Sequence, residues 1–232
     1  MSTPGAVAVV IPARDEEELL PACLDSVARA VSVLRGVHTD VECRVIVVLD
    51  SCQDGSAEVV ARRAGVTAVP VQVGCVGAAR AAGVDAAAAW ATRLPRGPLW
   101  VANTDADSMV PPAWLLHQVG FASAGHDLVV GTVRPVPGDL TADEMDRWWA
   151  RHSLTDGHDH VHGANLGFSL AAYRSVGGFR SIPAHEDVEL VTALRQAGRS
   201  WVAPGGPPVT TSGRRTSRAP DGFAAYLDGL GA

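Results

Sequence analysis

Two aspartates separated by one residue, Asp105 and Asp107, follow the apolar run 99–102 and precede Pro111 and Pro112. Paired carboxylates of this kind form a hard-oxygen site suited to Mg2+ or Mn2+, with water and a substrate phosphate completing the shell. In an extended segment side chains two apart share a face, so both are expected to point the same way. Capping of the helix after the proline pair is the other use open to one of them. Asp50 ends a second apolar run, 44–49, where a carboxylate can accept from a base or ribose donor. Asp54 and Gly55, just beyond it, have the chemistry of a turn. Arg80 falls in the first turns of a helix, where a guanidinium either suits a phosphate through charge and fork geometry or stands solvated. Glu186 and Asp187 open another helix, as charge against its dipole, as a general base, or as both. His158, His160 and His162 alternate in "HDHVHG". On a strand they would share a face open to a metal, but the segment reads better as a polar loop with only His162 near a site.

These residues need elements to position them. Residues 6–11 read as a buried strand stopping at Pro12, and Leu20, Leu24, Val27, Val31 and Leu34 then recur at helical spacing. Strands are expected at 44–49, 67–73, 99–102 and 127–134, and helices at 58–64, 77–93 and 114–124. Thr141 with Glu144 forms a capping box that opens a helix through Trp148 and Trp149. Residues 164–179 read as strand, short helix and Gly-Gly turn, and 182–198 as a helix closing at Gly198. Alternating strands and helices, with continuously apolar strands, predict an α/β fold with a Rossmann-like, mostly parallel central sheet flanked by helices. Ligands in such sheets sit beyond the carboxyl ends of the strands. The polar segments "PARDEE", "DSCQDGS" and "TDADS" all fall there. No linker or repeat is evident, so residues 1–232 are expected to form one domain.

Bulk composition narrows the chemistry. With 232 residues and 47% hydrophobic content, the chain can bury a sizeable core. A net charge of −6 and the absence of a long basic run argue against nucleic-acid binding. All 19 basic residues are arginine, which removes Schiff-base, pyridoxal-phosphate and P-loop chemistry, each of which centres on a lysine. Cys23, Cys43, Cys52 and Cys75 include no CxxC pair and read as thiols of a reducing compartment. The N-terminus lacks the basic region of a signal peptide, and no apolar stretch reaches spanning length. A cytoplasmic location is therefore expected, with peripheral membrane contact left open.

Taken in order, the segments resemble the family 2 type of glycosyltransferases with the GT-A fold. "VVIPARDEE" is similar to the family's opening "PxxNEE", with Asp15 where Asn is usual. "VVLDSCQDGS" resembles "VVDDGSTDGT", with Leu49 in place of the first Asp and Asp50 matching the second. "GAARAAG" resembles "GxxxARNxG" with Ala81 at the Asn position, and "NTDADS" matches the DxD segment. "GANLGFSLAAYRSVGGF" and "HEDVEL" are similar to the acceptor-side segment and the ED motif. The resemblance spans residues 6 to about 200 and implies a nucleotide-binding half, 1–110, and an acceptor half with a C-terminal tail, 111–232. It implies that Pro12, Ala13, Glu16, Asp50, Gly77, Arg80 and Asp105 bind the nucleotide. By the same likeness Asp107 coordinates Mn2+ or Mg2+, and Gly163, Ala164 and Asn165 border the donor sugar and acceptor. Asp187 would be the base, with Glu186 beside it. The implied activity is inverting transfer of a sugar from a UDP- or GDP-type donor to an acceptor hydroxyl.

Two other readings compete. A sugar nucleotidyltransferase would carry a Gly-rich "GGxGTRL" opening and a lysine, neither of which occurs. A catalytically inactive sugar- or nucleotide-binding homologue would not need Asp105, Asp107, Glu186 and Asp187 together. The C-terminal Arg214, Arg215 and Arg218 suit either a lid over a diphosphate or a solvated tail.

Overall fold

The computed structural model describes residues 3–94 and 97–214. The chain opens with β1 (Ala6–Ala13), whose residues are buried on both faces except for Pro12. Helix α1 (Leu20–Val37) follows, its buried face made by Leu20, Cys23, Leu24, Val27, Ala30 and Leu34 at the three- and four-residue spacing of one helix stripe. Next come β2 (Glu42–Asp50), α2 (Ser56–Ala61), β3 (Val66–Val71) and α3 (Val76–Ala91). The first half closes with β4 (Leu99–Asn103) and the two-residue β5 (Ser108–Met109). The second half adds α4 (Trp114–Ser123), β6 (Leu128–Val130), β7 (Val133–Pro135) and α5 (Ala142–Arg151), then β8 (Leu166–Ser169), α6 (Leu170–Ser175), α7 (Glu186–Gln196), β9 (Trp201–Val202) and β10 (Val209–Thr211).

Seven strands form one sheet in the order β3-β2-β1-β4-β8-β6-β9. Strand β1 lies parallel to both β2 and β4, with Val9 opposite Val45 on one side and Ala102 on the other. Only β8 runs antiparallel to its neighbours. Alternate residues of β1 feed two cores. Val7, Val9 and Ile11 pack with α1, α2 and α4, whereas Ala6, Ala8 and Val10 pack with α3, α6 and α7. This two-sided burial is why the central strands read as unbroken apolar runs rather than as an alternation. It also leaves the strand ends as the place where polar side chains can gather.

The structure differs from the sequence expectation at three points that matter for the site. The run 127–134 is not one strand, because the backbone leaves the main sheet at Gly131 and Thr132. There the Gly131 amide donates to the Asn165 carbonyl, and the Thr132 carbonyl accepts from the Val209 amide and from Asn165 Nδ2. After this switch β7 joins a second sheet, β5-β10-β7, which the sequence reading did not contain. The segment after β4 is not extended either. A turn joins Asp105 to Ser108, whose amide donates to the Asp105 carbonyl at 3.1 Å. Finally, α4 takes no side-chain cap, so neither aspartate caps it.

The capping box of α5 is present, with the Glu144 amide donating to Thr141 Oγ1 and Glu144 Oε2 accepting from the Thr141 amide. No helix among the described residues is long and apolar enough to cross a membrane.

Gly83 on α3 sets how closely that helix approaches the sheet. A Cβ there would lie 2.4 Å from Val10 Cγ1 and 2.9 Å from Val48 Cγ2. Alanine recovers about 1 kcal/mol of helix propensity, but overpacking a full core costs about 1–3 kcal/mol. Gly83→Ala should therefore lower the urea midpoint at unchanged slope, and Gly83→Val should lower it further.

Candidate active site

A cavity of about 500 Å3 opens at the carboxyl edge of the main sheet. The end of β2 contributes Asp50 to its walls, and the loops after β1, β3 and β4 contribute Glu16, Cys75, Asp105 and Asp107. The first two loops are laced together. Asp15 Oδ1 accepts from the Gln53 amide, Asp54 Oδ2 from the Glu17 amide, and Glu17 Oε2 from the Gly55 amide. Three non-glycine residues here hold left-handed backbone, Asp15 (φ 52°), Ser51 (φ 57°) and His185 (φ 62°). Each turns the chain sharply at the rim, and such conformations persist where the surroundings over-determine them.

Arg80 is the centre of the site. It is buried rather than solvated, with 2% exposure. Its Nε donates to Glu186 Oε1 at 2.9 Å and its Nη2 to Asp105 Oδ1 at 2.5 Å. One guanidinium from α3 thus joins the turn after β4 to the start of α7. Burial alone would lower its pKa, but Asp105, Glu186 and Asp187 outweigh that and hold it above the ordinary arginine value. The approach is close enough that a Cβ on Gly163 would lie 2.4 Å from Arg80 Nη2. Arg80 Nη1 has no hydrogen-bond partner among the described residues.

Asp50 is held by the chain itself. Its Oδ1 accepts from Val73, Gly74 and Ser51, and its Oδ2 from the Cys75 amide. Burial pushes its carboxyl up, but the Gly74, Val73, Ser51 and Cys75 donors together hold it below the usual carboxylate range. The carboxylate therefore folds the loop that carries α3, and it still lines the cavity.

Glu16 is buried and pairs with Arg214 through both carboxylate oxygens, at 2.5 and 2.6 Å. Arg214 Nη2 also lies 3.1 Å from Asp107 Oδ2. Burial and the neighbouring Asp105 raise the Asp107 carboxyl to about 7, against the opposing pull of Arg214.

At the other end of the cavity, Asp187 Oδ2 accepts from the Gly163 amide at 2.6 Å, and its Oδ1 from the Val188 amide at 2.8 Å. Burial, then the adjacent Glu186, raises its pKa, while Arg80 opposes them. The histidine segment is packed rather than solvated. His152, His160 and His162 all line the cavity, and the rings form a chain, with His152 to His160 at 4.8 Å and His160 to His162 at 6.2 Å between centroids. Burial and the neighbouring His152, His160 and His158 push His162 down to about 3, so its imidazole is neutral near pH 7.

Pro12, Ala13, Gly163, Ala164 and Glu186 also line the cavity. Two residues from the sequence reading lie elsewhere. Gly77 packs against the 180–182 loop, where a Cβ would meet the Arg180 carbonyl at 2.1 Å, so it allows a close approach instead of lining the cavity. Asn165 sits behind the wall, accepting from Trp114 Nε1 and donating to the Thr132 carbonyl. His160 reads in the sequence as part of a polar loop, and His152, at the end of α5, carries no signal there; the stacking of Trp148 on His152, 4.3 Å between centroids, and the packing of His152 on His160 bring both to the cavity wall. Arg215 and Arg218 lie outside the described residues.

Removing one partner from a buried ion pair typically costs about 3–5 kcal/mol. Arg80→Met should therefore destabilise the protein by that order in urea melts, and Arg80→Lys should recover only part of it, because one ammonium lacks the fork. A solvated helix arginine would show almost no effect. For Asp50 the folded carboxyl is the more acidic form, so its stabilisation is present above the ordinary value of 3.8 and is lost as pH falls through the folded pKa. Asp50→Asn should flatten the acid limb of stability below about pH 4 in denaturant melts.

No curated protein matches the sequence closely enough to count as a relative. Solved structures match the fold. Staphylococcus aureus TarS (residues 1–349, in complex with UDP) superposes with a TM-score of 0.64 at 14% identity, covering 97% of this chain and 69% of that one. The mannosyltransferase PcManGT from Pyrobaculum calidifontis, in complex with GDP-Man and Mn2+, gives 0.59 at 19% identity, covering 95% and 59%. Glucosyl-3-phosphoglycerate synthase from Mycobacterium tuberculosis, in complex with Mn2+, UDP and phosphoglyceric acid, gives 0.59 at 20% identity, covering 98% and 74%. The sequence profile described as Glycosyl transferase family 2 matches residues 8–175, from β1 to the end of α6, so it includes Asp105 and Asp107 and stops before Glu186 and Asp187. With that match running over most of its length, the chain belongs to glycosyl transferase family 2.

Proposed function

We propose that this protein moves a sugar from a nucleoside-diphosphate sugar of the UDP or GDP type to an acceptor hydroxyl, using a divalent cation and inverting the anomeric carbon. The observation that carries the reading is the buried Arg80, which ties Asp105 of the DxD turn to Glu186 beside Asp187. A donor-side motif and an acceptor-side motif thereby face one cavity. Support for the donor class comes from fold neighbours in complex with UDP or with GDP-Man. In this reading residues 1–110 form the donor side and 111–232 the acceptor side, with Arg214 crossing back to the donor side.

The side chains fit a divalent cation. Asp107 offers a hard-oxygen ligand, and the one guanidinium that faces it among the described residues, Arg214, is shared with Glu16. Asp107, with Asp105 beside it, would hold Mn2+ or Mg2+. The ion supplies positive charge for the diphosphate that leaves. Asp187 is the base. Two backbone amides fix its carboxylate, and burial with Glu186 makes it a stronger proton acceptor than a free aspartate. Its carboxylate takes the proton of the acceptor hydroxyl while the acceptor oxygen bonds to the anomeric carbon. The bond from that carbon to the diphosphate oxygen breaks, its electron pair leaving with the nucleotide. Attack opposite to departure inverts the centre. Glu186, paired with Arg80, positions Asp187 and does not itself take the proton.

General-base catalysis is typically worth about 10²–10⁴-fold. Asp187→Asn should therefore lower transfer by at least about 100-fold while calorimetry finds UDP or GDP binding with Mn2+ intact. Near-normal turnover in the Asn variant would sink the assignment of the base. Equal nucleotide affinity in EDTA and in Mn2+ would sink the cation.

A further inference from the structure

Arg214 stands outside the roles assigned above. Its placement is built by the second sheet. Strand β10 pairs antiparallel with β5, directly after the DxD turn, with Thr211 opposite Ser108. Ser108 Oγ donates to Thr211 Oγ1 at 2.9 Å, and the Ser212 amide donates to the Asp107 carbonyl at 3.1 Å. The Gly213 amide donates to Asp139 Oδ2 at 2.8 Å. The backbone leading to Arg214 is thus tied to the turn that presents Asp107.

The guanidinium then meets two carboxylates. Nη1 and Nη2 form the fork to Glu16, and Nη2 is shared with Asp107 at the longer distance of 3.1 Å. The buried guanidinium of the cavity, Arg80, is taken up by Asp105 and Glu186. Among the described residues Arg214 is the cation that balances Asp107, and it bears one charge against two carboxylates. A divalent ion on Asp107 would supply the charge that Arg214 supplies now, at the atom Arg214 holds least closely. A guanidinium displaced from Asp107 but still based at Glu16 is next to the seat of a bound diphosphate, for which it has matching fork geometry.

We propose that Arg214 and the divalent cation share the Asp107 seat. Arg214 closes it when the site is empty, and moves to the donor's phosphate oxygens when the cation arrives. Arg214 is therefore the positioning residue that couples cation binding to diphosphate binding. This rests on the donor-site reading above.

The test is calorimetry on the full chain with Mn2+ alone, UDP or GDP alone, and each nucleotide with saturating Mn2+. The wild type should bind Mn2+ weakly alone, and Mn2+ should raise its affinity for the nucleoside diphosphate. Arg214→Ala removes the competitor and the phosphate partner together. It should bind Mn2+ alone at least about 5-fold tighter, and the nucleotide with Mn2+ at least about 10-fold weaker, an effect of about 1.4 kcal/mol. Arg214→Lys keeps the charge without the fork, so it should hold Mn2+ affinity near wild type while still losing nucleotide affinity. That variant carries the test if the alanine protein does not fold. Unchanged affinities in the variants overturn the proposal. So does weaker nucleotide binding in Arg214→Ala without a gain in Mn2+ affinity, because Arg214 would then be a phosphate ligand with no claim on the cation seat. A wild type that binds neither nucleotide with Mn2+ refutes the donor-site reading itself, a result distinct from any difference between wild type and variants.

Discussion

A single guanidinium fixes the geometry of this protein's cavity. Arg80 comes from α3, Asp105 from the turn after β4, and Glu186 from the first turn of α7. A buried arginine is tolerable only when its charge is met by well-aligned carboxylates, and the buried Glu186 makes the same demand in return. The three groups therefore stand or fall together, and the turn after β4 and the start of α7 inherit their relative position from that mutual need. Gly163, pressed against the Arg80 side chain, carries the same constraint into the backbone that holds Asp187.

The rest of the site follows from how the sheet ends. Central strands buried on both faces leave no polar positions along their length, so carboxylates collect where the strands run out. There the chain turns sharply, through left-handed residues at Asp15, Ser51 and His185. Side chains of one loop close hydrogen bonds on the next, and Asp50 gathers the amides of the loop after β3. The two ends of the cavity differ as a result. Carboxylates crowd the end formed by the first half of the chain. The other end carries Glu186 and Asp187 together with a run of rings packed from Trp148 through His152 to His160.

The small second sheet changes what the first half can do. The main sheet alone would leave Glu16 and Asp107 as excess negative charge. By switching sheets at Gly131 and Thr132, the chain makes a place for β10 beside the DxD turn, and β10 returns an arginine to both carboxylates. A segment about a hundred residues downstream thereby completes the electrostatics of a motif that looks local.

The α/β fold, the positions of the first four strands along the chain and the segments that end at the cavity were legible in the sequence. Their physical basis is local, residing in apolar runs of strand length, one helical stripe on α1, and turn residues directly after each run. The capping box at Thr141 and Glu144 was legible for the same reason. Asp105, Asp107, Glu186 and Asp187 could be named because their types and spacing suggest chemistry before any fold is known. What the tertiary structure decided was partnership. Arg80 and Glu186 are 106 residues apart in the chain, and Arg214 and Glu16 are 198 apart. Nothing in the neighbourhood of Arg80 distinguishes a solvated helix arginine from a buried bridge, because burial depends on what packs over the helix. The same holds for the histidines, which look polar in sequence and are desolvated by Trp148 and the cavity wall, and for Asn165 and Gly77, whose neighbours in space lie on other elements. Local pattern determines which residues can act, and long-range packing determines which of them meet, because a charge buried in a protein must find its counter-charge wherever the chain brings one.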